Sequence, residues 1–412
     1  MSDLRIRRRL STRFVRRIAL VAVASQCSLA AVFPASSQAS TIRVVAVGNA
    51  FAGTVSFLGD GVTYTNLATF NAVPDLAARK AQLFANSITY QIYQTIKQQK
   101  GGENYVDDIA LSPDGTILYV SRGILEDVAA FNLQTGAMLW RTDIGGYESD
   151  HMAISPDGTQ LVVSDLTEGV EKVFNSKTGQ VVASFPAGTF PHEVDYSPNG
   201  ARLYVGSLGI TLLPYSQNAS KGNRQLTIAD AHTFQVLKTY QFTYGLRPDF
   251  ITPDEKYYYF QQSYNRGFAE FNLTTGQISR TMSLPSTPAG DALFPDNLPN
   301  NSMHHGLALS GDGSTICNAG TIDNYVALVN RSTFTVKRII PGFAKPYWAI
   351  TSSDGSNCLV SNSDGNYVAA INYATGLVVA KTAVGWFPQR ERLGSLDLIA
   401  LAHMWAQSLL SG

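Results

Sequence analysis

Short runs rich in β-branched and aromatic residues alternate with polar turns along most of this chain. In one such segment, the turn SPDG at residues 112–115 is followed by TILYVS at residues 116–121. Apolar residues that recur with a period of two indicate strands rather than helices. Asp-Gly and Asn-Gly pairs supply positive φ and join antiparallel strands. The pattern therefore predicts a series of β-hairpins.

The hairpin pattern is repeated along the chain. Six repeats share a Ser or Thr that opens the turn, and these residues are Ser112, Ser155, Ser197, Thr252, Ser310 and Ser352. Their spacing of roughly 40 to 60 residues is typical of propellers. Each turn is followed by a strand, then by a third strand that ends near Thr-Gly, and then by a fourth. Four strands per repeat make one propeller blade.

The two ends of the repeat region complement each other. TIRVVAVGN at residues 41–49 and GTVSFLGDG at 53–61 resemble second and third strands, whereas VGWFPQRERLGSL at 384–396 resembles a first strand. We therefore predict an all-β, seven-bladed β-propeller over residues 40–396, with the last blade closed by both termini so that no edge is exposed. A short helical insertion is expected near residues 74–86, as a packing decoration rather than a lid.

The repeats SPDGTILYVS, SPDGTQLVVS and SPNGARLYVGS resemble the YVTN type of β-propeller repeat. The resemblance covers nearly all of residues 40–396, although RPDFITPDE in the fourth repeat lacks the turn glycine. It implies a relation to lactonase-like hydrolases and to the large subunits of quinoprotein amine dehydrogenases. Similar propellers also include copper- or haem-carrying proteins and plain binding proteins. One fold hosts many functions, so the resemblance predicts the architecture and leaves the activity open.

The two ends of the chain differ from the repeats. Residues 1–39 combine an arginine-rich start, an apolar stretch and small residues near Ala39, which is typical of a secretory signal peptide. We therefore expect a secreted or periplasmic protein without a membrane span, with an organelle transit peptide as the alternative. Residues 397–412 form an apolar tail with helical periodicity.

The charge balance of the chain limits the classes of partner that it is expected to bind. The first 39 residues hold seven of the 31 basic residues and one of the 31 acidic residues, which leaves 24 basic and 30 acidic residues in the rest. A mildly acidic propeller is a poor candidate for nucleic-acid binding. We expect a monomer that takes a small-molecule or protein ligand.

Only Cys317 and Cys358 follow residue 39. They lie on the second strands of neighbouring repeats but one residue out of phase, which should direct their side chains to opposite sheet faces. We therefore expect two buried free thiols rather than a disulfide.

Histidines concentrate in one window of the repeats. Four of the six histidines lie four to six residues before a turn serine: His151, His192, His304 and His305. The same window also contains Asp107, Asp108, Asp150, Glu193, Arg247, Trp348 and Arg390. This window is where the chain enters the innermost strand of each blade, so these residues should meet at one mouth of the central channel. The Pro-rich insertion at 284–301 either overhangs this mouth or forms a surface loop.

Three interpretations of the window remain open. The first is a divalent transition-metal site, Zn or Cu, with His151, His192 and His305 as ligands and Asp150 as a further ligand or supporting partner. The second is a ligand pocket, and its candidates are Asp107, Asp108, Arg247, His304, Trp348 and Arg390. The third is a hydrogen-bonded network that holds the blades in register.

Catalysis also remains open. A metal-dependent, lactonase-like hydrolase would use His192 or Glu193 as its base. The alternatives are a non-catalytic protein-interaction scaffold and a redox-partner propeller, the latter requiring a second, cofactor-bearing chain.

Overall fold

The computed structural model describes residues 40–61, 63–293, 295 and 298–410. The predicted signal peptide at residues 1–39 therefore lies outside the described residues. The described chain forms seven four-stranded antiparallel sheets, each one blade of a propeller. This confirms the predicted architecture.

Strands are numbered along the chain, and blades are numbered from the first complete repeat. Blade 7 takes β1 (Thr41–Asn49), β2 (Thr54–Gly59) and β3 (Asn66–Asn71) from the start of the described chain. Blade 1 comprises β4 (Asp108–Leu111), β5 (Ile117–Arg122), β6 (Asp127–Asn132) and β7 (Met138–Asp143). Blade 2 comprises β8 (Ser149–Ile154), β9 (Gln160–Asp165), β10 (Val170–Asn175) and β11 (Val181–Pro186). Blade 3 comprises β12 (Pro191–Tyr196), β13 (Arg202–Ser207), β14 (Gln225–Asp230) and β15 (Val236–Gln241). Blade 4 comprises β16 (Leu246–Ile251), β17 (Tyr257–Gln262), β18 (Gly267–Asn272) and β19 (Gln277–Ser283). Blade 5 comprises β20 (Leu307–Leu309), β21 (Thr315–Gly320), β22 (Tyr325–Asn330) and β23 (Thr335–Pro341). Blade 6 comprises β24 (Pro346–Thr351), β25 (Asn357–Asn362), β26 (Tyr367–Asn372) and β27 (Val378–Ala383). The last strand, β28 (Pro388–Asp397), completes blade 7.

The two ends of the described chain close the ring. β28 pairs antiparallel with β1, with Thr41 opposite Asp397 and Val47 opposite Glu391. Blade 7 therefore has the strand order β28-β1-β2-β3, with the strand from the end of the chain innermost. The predicted closure of the last blade by both termini matches this pairing.

The repeated turn has a local cause. In blade 1, the Ser112 hydroxyl donates to Asp114 Oδ1 at 2.6 Å and accepts from the Ile117 backbone N–H at 2.9 Å. Gly115 follows in the left-handed region with φ of 70°, which glycine adopts without a steric penalty. In the fourth repeat, which lacks the glycine, Glu255 takes the left-handed conformation with φ of 51°. The fourth repeat therefore forms the same turn although it lacks the glycine.

The core lies between blades rather than inside one sheet, because each sheet packs its apolar side chains against both neighbours. Between blades 7 and 1, for example, Val44 and Phe57 pack with Leu118 and Phe131. The innermost strands are largely buried, whereas outer strands such as β15 are mostly exposed. The layered packing holds the innermost strands in one rigid ring.

The cysteine prediction was wrong, because Cys317 and Cys358 form a disulfide with Cα atoms 6.4 Å apart. The two side chains do lie on opposite faces of their sheets, as their phase predicts: Ile316 packs towards blade 4, so Cys317 faces blade 6. Neighbouring blades stack front to back. The front face of one sheet therefore meets the back face of the next, and two cysteines on opposite faces of their own sheets come together across the interface between blades 5 and 6.

In the described chain, α-helices occur in two insertions and in the C-terminal tail. The predicted helical insertion is a pair, α1 (Leu76–Phe84) and α2 (Ser87–Lys100), because Asn86 caps a second helix by accepting from the N–H groups of Ile88 and Thr89. A single turn, α3 (Pro288–Asp291), lies in the Pro-rich insertion.

The apolar tail forms the helix α4 (Leu398–Leu410), which buries Ala400, Leu401 and Met404 against the core between blades 7 and 1. No helix within the described ranges is long and apolar enough to cross a membrane.

Candidate functional site

A β-bulge occurs at the start of most innermost strands and directs the window residues. In blade 2 the pairing register shifts between Ser149 and Met152, and in blade 3 between Pro191 and Glu193. The innermost strands of blades 4, 6 and 7 shift at the corresponding place. A bulge removes residues from the ladder and re-aims their side chains. The residues released in this way include Asp150, His151, His192, Arg247, Tyr347, Trp348 and Arg390.

The backbone is strained at three of these entries. Phe190, Lys345 and Phe387 have φ of 54°, 55° and 59° and each precedes a proline that opens an innermost strand. Left-handed non-glycine residues cost energy and tend to cluster at functional sites. Ten other non-glycine residues in the described chain also have positive φ, including Phe234 and Phe334 in outer turns, so this conformation by itself does not mark the channel mouth.

Three histidines meet at this mouth. The ring centroids of His151 and His192 are 4.1 Å apart, and those of His192 and His305 are 5.7 Å apart. All three side chains are buried. Burial lowers the pKa of each ring, and the charge of Arg390 lowers each pKa further. The imidazoles are therefore neutral, which is the form that binds metal ions.

His192 and His305 share one hydrogen-bonding arrangement. His192 Nδ1 lies 2.7 Å from Asp150 Oδ2, and His305 Nδ1 donates to the Tyr347 carbonyl oxygen at 3.3 Å. Nε2 of both rings and Oδ1 of Asp150 are buried without a hydrogen-bond partner among the described residues. With its Nδ1 hydrogen held by a carboxylate or carbonyl, each ring presents an Nε2 lone pair, as metal-ligating histidines do.

His151 differs from the other two. Its Nδ1 is 2.6 Å from Glu193 Oε2, and its Nε2 accepts from Nη2 of Arg390. Because a guanidinium only donates hydrogen bonds, the Nε2 lone pair is already used. Ligand atoms of Asp150, His151 and His192 nevertheless lie within 4.8 Å of one another. His151 can join a metal only after Arg390 releases it.

Two buried arginines face the same space. Arg390 lies over Trp348, 4.5 Å from its ring centroid, and has Asp107 3.4 Å away, while its Nε and Nη1 have no partner among the described residues. Arg247 donates from Nε to Ser263 at 3.1 Å and from Nη2 to the Asn300 carbonyl. Among the described residues no carboxylate pairs with Arg247, and burial lowers its pKa to about 10.

Helix α2 and the Pro-rich insertion cover the mouth. Lys100, the last residue of α2, lies 3.0 Å from Asp107 Oδ2 and 2.5 Å from Glu148 Oε1. Gln99 donates to Thr211 at 2.8 Å. Lys100 was missed by sequence reasoning because α2 lies outside the repeats. The described part of the insertion overhangs the mouth, since Asn300 accepts from Arg247.

The space at the mouth consists of two adjacent chambers that share part of their lining. The outer chamber has a volume of about 250 Å³ and the inner chamber about 20 Å³. Lys100, Asn300, Tyr347 and Gln389 line both. The inner chamber reaches the residues that carry the chemistry, which are Asp150, His192, Arg247, His305 and Arg390.

Other window residues lie apart from the chambers. His304 turns away: its Nε2 lies 3.1 Å from Asp323 Oδ2 and its Nδ1 accepts from the Gly267 N–H, so it joins blades 4 and 5 and contacts no ligand space. Asp108 accepts from Arg392, and Glu193 lies behind His151. Trp348 supports the site from beneath Arg390. His304, a candidate for the ligand pocket in the sequence analysis, thus lines neither chamber.

In comparisons with known proteins, the chain matches no protein-family model and no curated protein. The function is accordingly argued from the site.

Proposed function

We propose that this protein is a propeller that binds a divalent transition metal ion at the covered mouth of its central channel. The observation that carries the proposal is the pair of Nε2 atoms of His192 and His305, which are buried without a hydrogen-bond partner among the described residues and line the same chamber, in a site where possible ligand atoms of Asp150, His151 and His192 lie within 4.8 Å of one another. Each buried polar atom left without a partner costs about 1–3 kcal/mol. A metal ion bound by both rings would satisfy the two nitrogens at once.

The donor set favours zinc or copper. Imidazole nitrogens suit Zn²⁺ and Cu²⁺. His192 and His305 would supply two of them, and His151 could supply a third once Arg390 releases it. Asp150 would orient the His192 ring, because its Oδ2 holds Nδ1 and leaves Nε2 to bind the ion.

Hydrolysis of a small ester or lactone is the second candidate function. It is favoured by the His192–Asp150 pair, which orients an imidazole Nε2 towards the chamber, and by the outer chamber that leads to it. This candidate agrees with the resemblance to YVTN-type, lactonase-like propellers. His192 cannot serve as a metal ligand and a base together, so the base would then be another group.

We further propose that the protein is exported, to the periplasm or outside the cell, after removal of residues 1–39. The composition of that segment supports export, and the Cys317–Cys358 disulfide agrees with an oxidising compartment. The mass of the exported protein should correspond to a chain that begins near residue 40.

Elemental analysis of the purified protein tests the metal site. We expect roughly one zinc or copper ion per chain, as for a single site, and its loss in His192→Ala and in His305→Ala. The control His232→Ala removes an exposed histidine and should keep the metal. A metal-free wild type whose thermal stability does not respond to added Zn²⁺ or Cu²⁺ would overturn the proposal.

A further inference from the structure

We infer that the channel mouth binds a small molecule that carries a carboxylate or phosphate group, with this anionic head held by Arg247 and Arg390 and its body in the outer chamber. The inference deepens the proposed function because it names the ligand class of the same site. It stands on the arginines and on the shape of the chambers.

The first argument concerns charge. Arg247 is buried, its hydrogen bonds go to a hydroxyl and a carbonyl, and it forms no ion pair with a described carboxylate. Burying a guanidinium without a counter-charge is costly. Arg390 is also buried, and two of its nitrogen atoms, Nε and Nη1, are unpartnered. Two buried guanidinium groups with unused donors are suited to an oxyanion, which accepts from both.

The second argument concerns the charged groups at the mouth that already have ion-pair partners. Lys100 is occupied by Asp107 and Glu148. Asp107 is further shared with Asn104, which donates to it at 2.6 Å. Asp107 and Glu148 are therefore committed to Lys100 and Asp150 to His192, so Arg247 forms no ion pair with a described carboxylate. A negatively charged ligand would supply the ion pair that Arg247 lacks.

The third argument concerns shape. The inner chamber, which both arginines line, has about 20 Å³ and admits roughly one water-sized group, such as a single oxygen of the anionic head, so the rest of the head must lie towards the outer chamber. The outer chamber has about 250 Å³, smaller than the pockets of drug-sized ligands. Its wall includes Leu293, Ile322, Tyr347 and Phe387. The two chambers together accommodate a charged head on a compact apolar or aromatic body.

The position of the head relative to the metal ligands follows from the lining. Arg247 and Arg390 share the inner chamber with His192 and His305. An oxyanion held by the arginines would therefore approach the Nε2 atoms of both histidines. A metal ion at those atoms would add a further positive charge and strengthen binding of the same head group.

Calorimetric titration with three probes of similar body tests the inference. Benzoate, phenyl phosphate and neutral benzamide are each titrated into the chain without residues 1–39, first stripped by a chelator and then loaded with Zn²⁺. We expect benzoate or phenyl phosphate to bind at least about tenfold more tightly than benzamide, which corresponds to one good charge-assisted contact. The better of the two anions identifies a carboxylic acid or a phosphate ester as the ligand class.

Variants locate the binding. Arg247→Gln should weaken the preferred anion about tenfold or more and leave benzamide unchanged. The control Arg202→Gln alters an arginine whose side chain is 51% exposed and should change nothing. If Arg247→Gln unfolds, the comparison of head groups on the wild type still decides the question.

The inference is overturned if both anions bind no better than benzamide, or if folded Arg247→Gln binds them as the wild type does. Anion binding to the stripped protein supports the inference even when no metal is retained. Retained metal without anion preference removes the inference and leaves the metal site. The two failures are therefore distinguishable.

Discussion

Nδ1 of His192 lies 2.7 Å from Oδ2 of Asp150, although the two residues are 42 positions apart and belong to different blades. The contact exists because both residues sit at bulges that open neighbouring innermost strands. It orients the imidazole and places the second carboxylate oxygen at the same cavity. The pair is the centre of the proposed site, and the first prediction concerns it.

Asp150→Asn should weaken metal binding by about 10- to 100-fold, the usual effect of losing a partner that orients a ligating histidine. The amide is similar in size but has no negative charge. Competition with a chromophoric zinc chelator measures the affinity. Asp143→Asn, which changes an aspartate whose side chain is 65% exposed, is the control. Unchanged affinity in Asp150→Asn would remove Asp150 from the site.

Lys100→Met should destabilise the protein by about 3–5 kcal/mol, because among the described residues it leaves Glu148 buried without a cation and Asp107 with Arg390 alone. Lys97→Met provides a matched control on the same helix, since Lys97 is 45% exposed and should cost no more than about 0.5 kcal/mol. Urea unfolding measures both. Equal costs for the two variants would contradict the buried ion-pair network.

Replacing Cys317 and Cys358 together by alanine should lower the free energy of unfolding by about 2–4 kcal/mol, as expected when a cross-link of this loop length is lost. The disulfide spans 41 residues. Unfolding of the wild type with reductant should reproduce most of the loss, and reductant should leave the double variant unaffected. Thiol titration of the denatured, unreduced wild type is expected to detect no free thiol from these residues, and two would refute the bridge.

Glu103 should make stability depend on acid pH. It accepts from Lys80 at 3.0 Å and from Tyr93 at 2.9 Å, and these contacts, with a further one from Tyr105, lower its pKa to about 2. An unfolded glutamate has a pKa of about 4.3. The unfolded state therefore takes up the proton first. The stabilisation is complete above roughly pH 4.3 and is lost as the pH falls towards 2.

The comparison of wild type with Glu103→Gln isolates this effect. The difference in their free energies of unfolding should shrink as the pH is lowered from about 6 to about 2, because the amide side chain of the variant does not titrate. Urea unfolding at several pH values measures the difference. A difference that stays constant with pH would show that the Glu103 carboxylate is not stabilised by these contacts.

Repetition explains why the architecture could be predicted. The same turn chemistry at Ser112 and at five later positions defines each blade, and the incomplete pieces at the two ends imply closure of the ring. Each of these signals is local or periodic. The equivalence of repeats also predicted that His151, His192 and His305 would meet.

Other features depend on contacts that no local pattern encodes. His304 and His305 are adjacent in sequence, but their side chains have different surroundings. The His304 ring pairs with Asp323, whereas the His305 ring enters the site. Lys100 reaches the mouth from a helix outside the repeats. The disulfide between Cys317 and Cys358 follows from the front-to-back stacking of blades.

The sequence by itself therefore determined the seven-bladed ring, its closure and the window that supplies the site, because these follow from periodicity and turn chemistry. Only the tertiary structure decided which window residues share a cavity. The physical reason is that bulges at the strand entries re-aim side chains, and the lining from α2 and the Pro-rich insertion comes from segments distant in sequence. Packing between blades, rather than any short motif, leaves Nε2 of His192 and His305 available and Arg247 without a counter-ion.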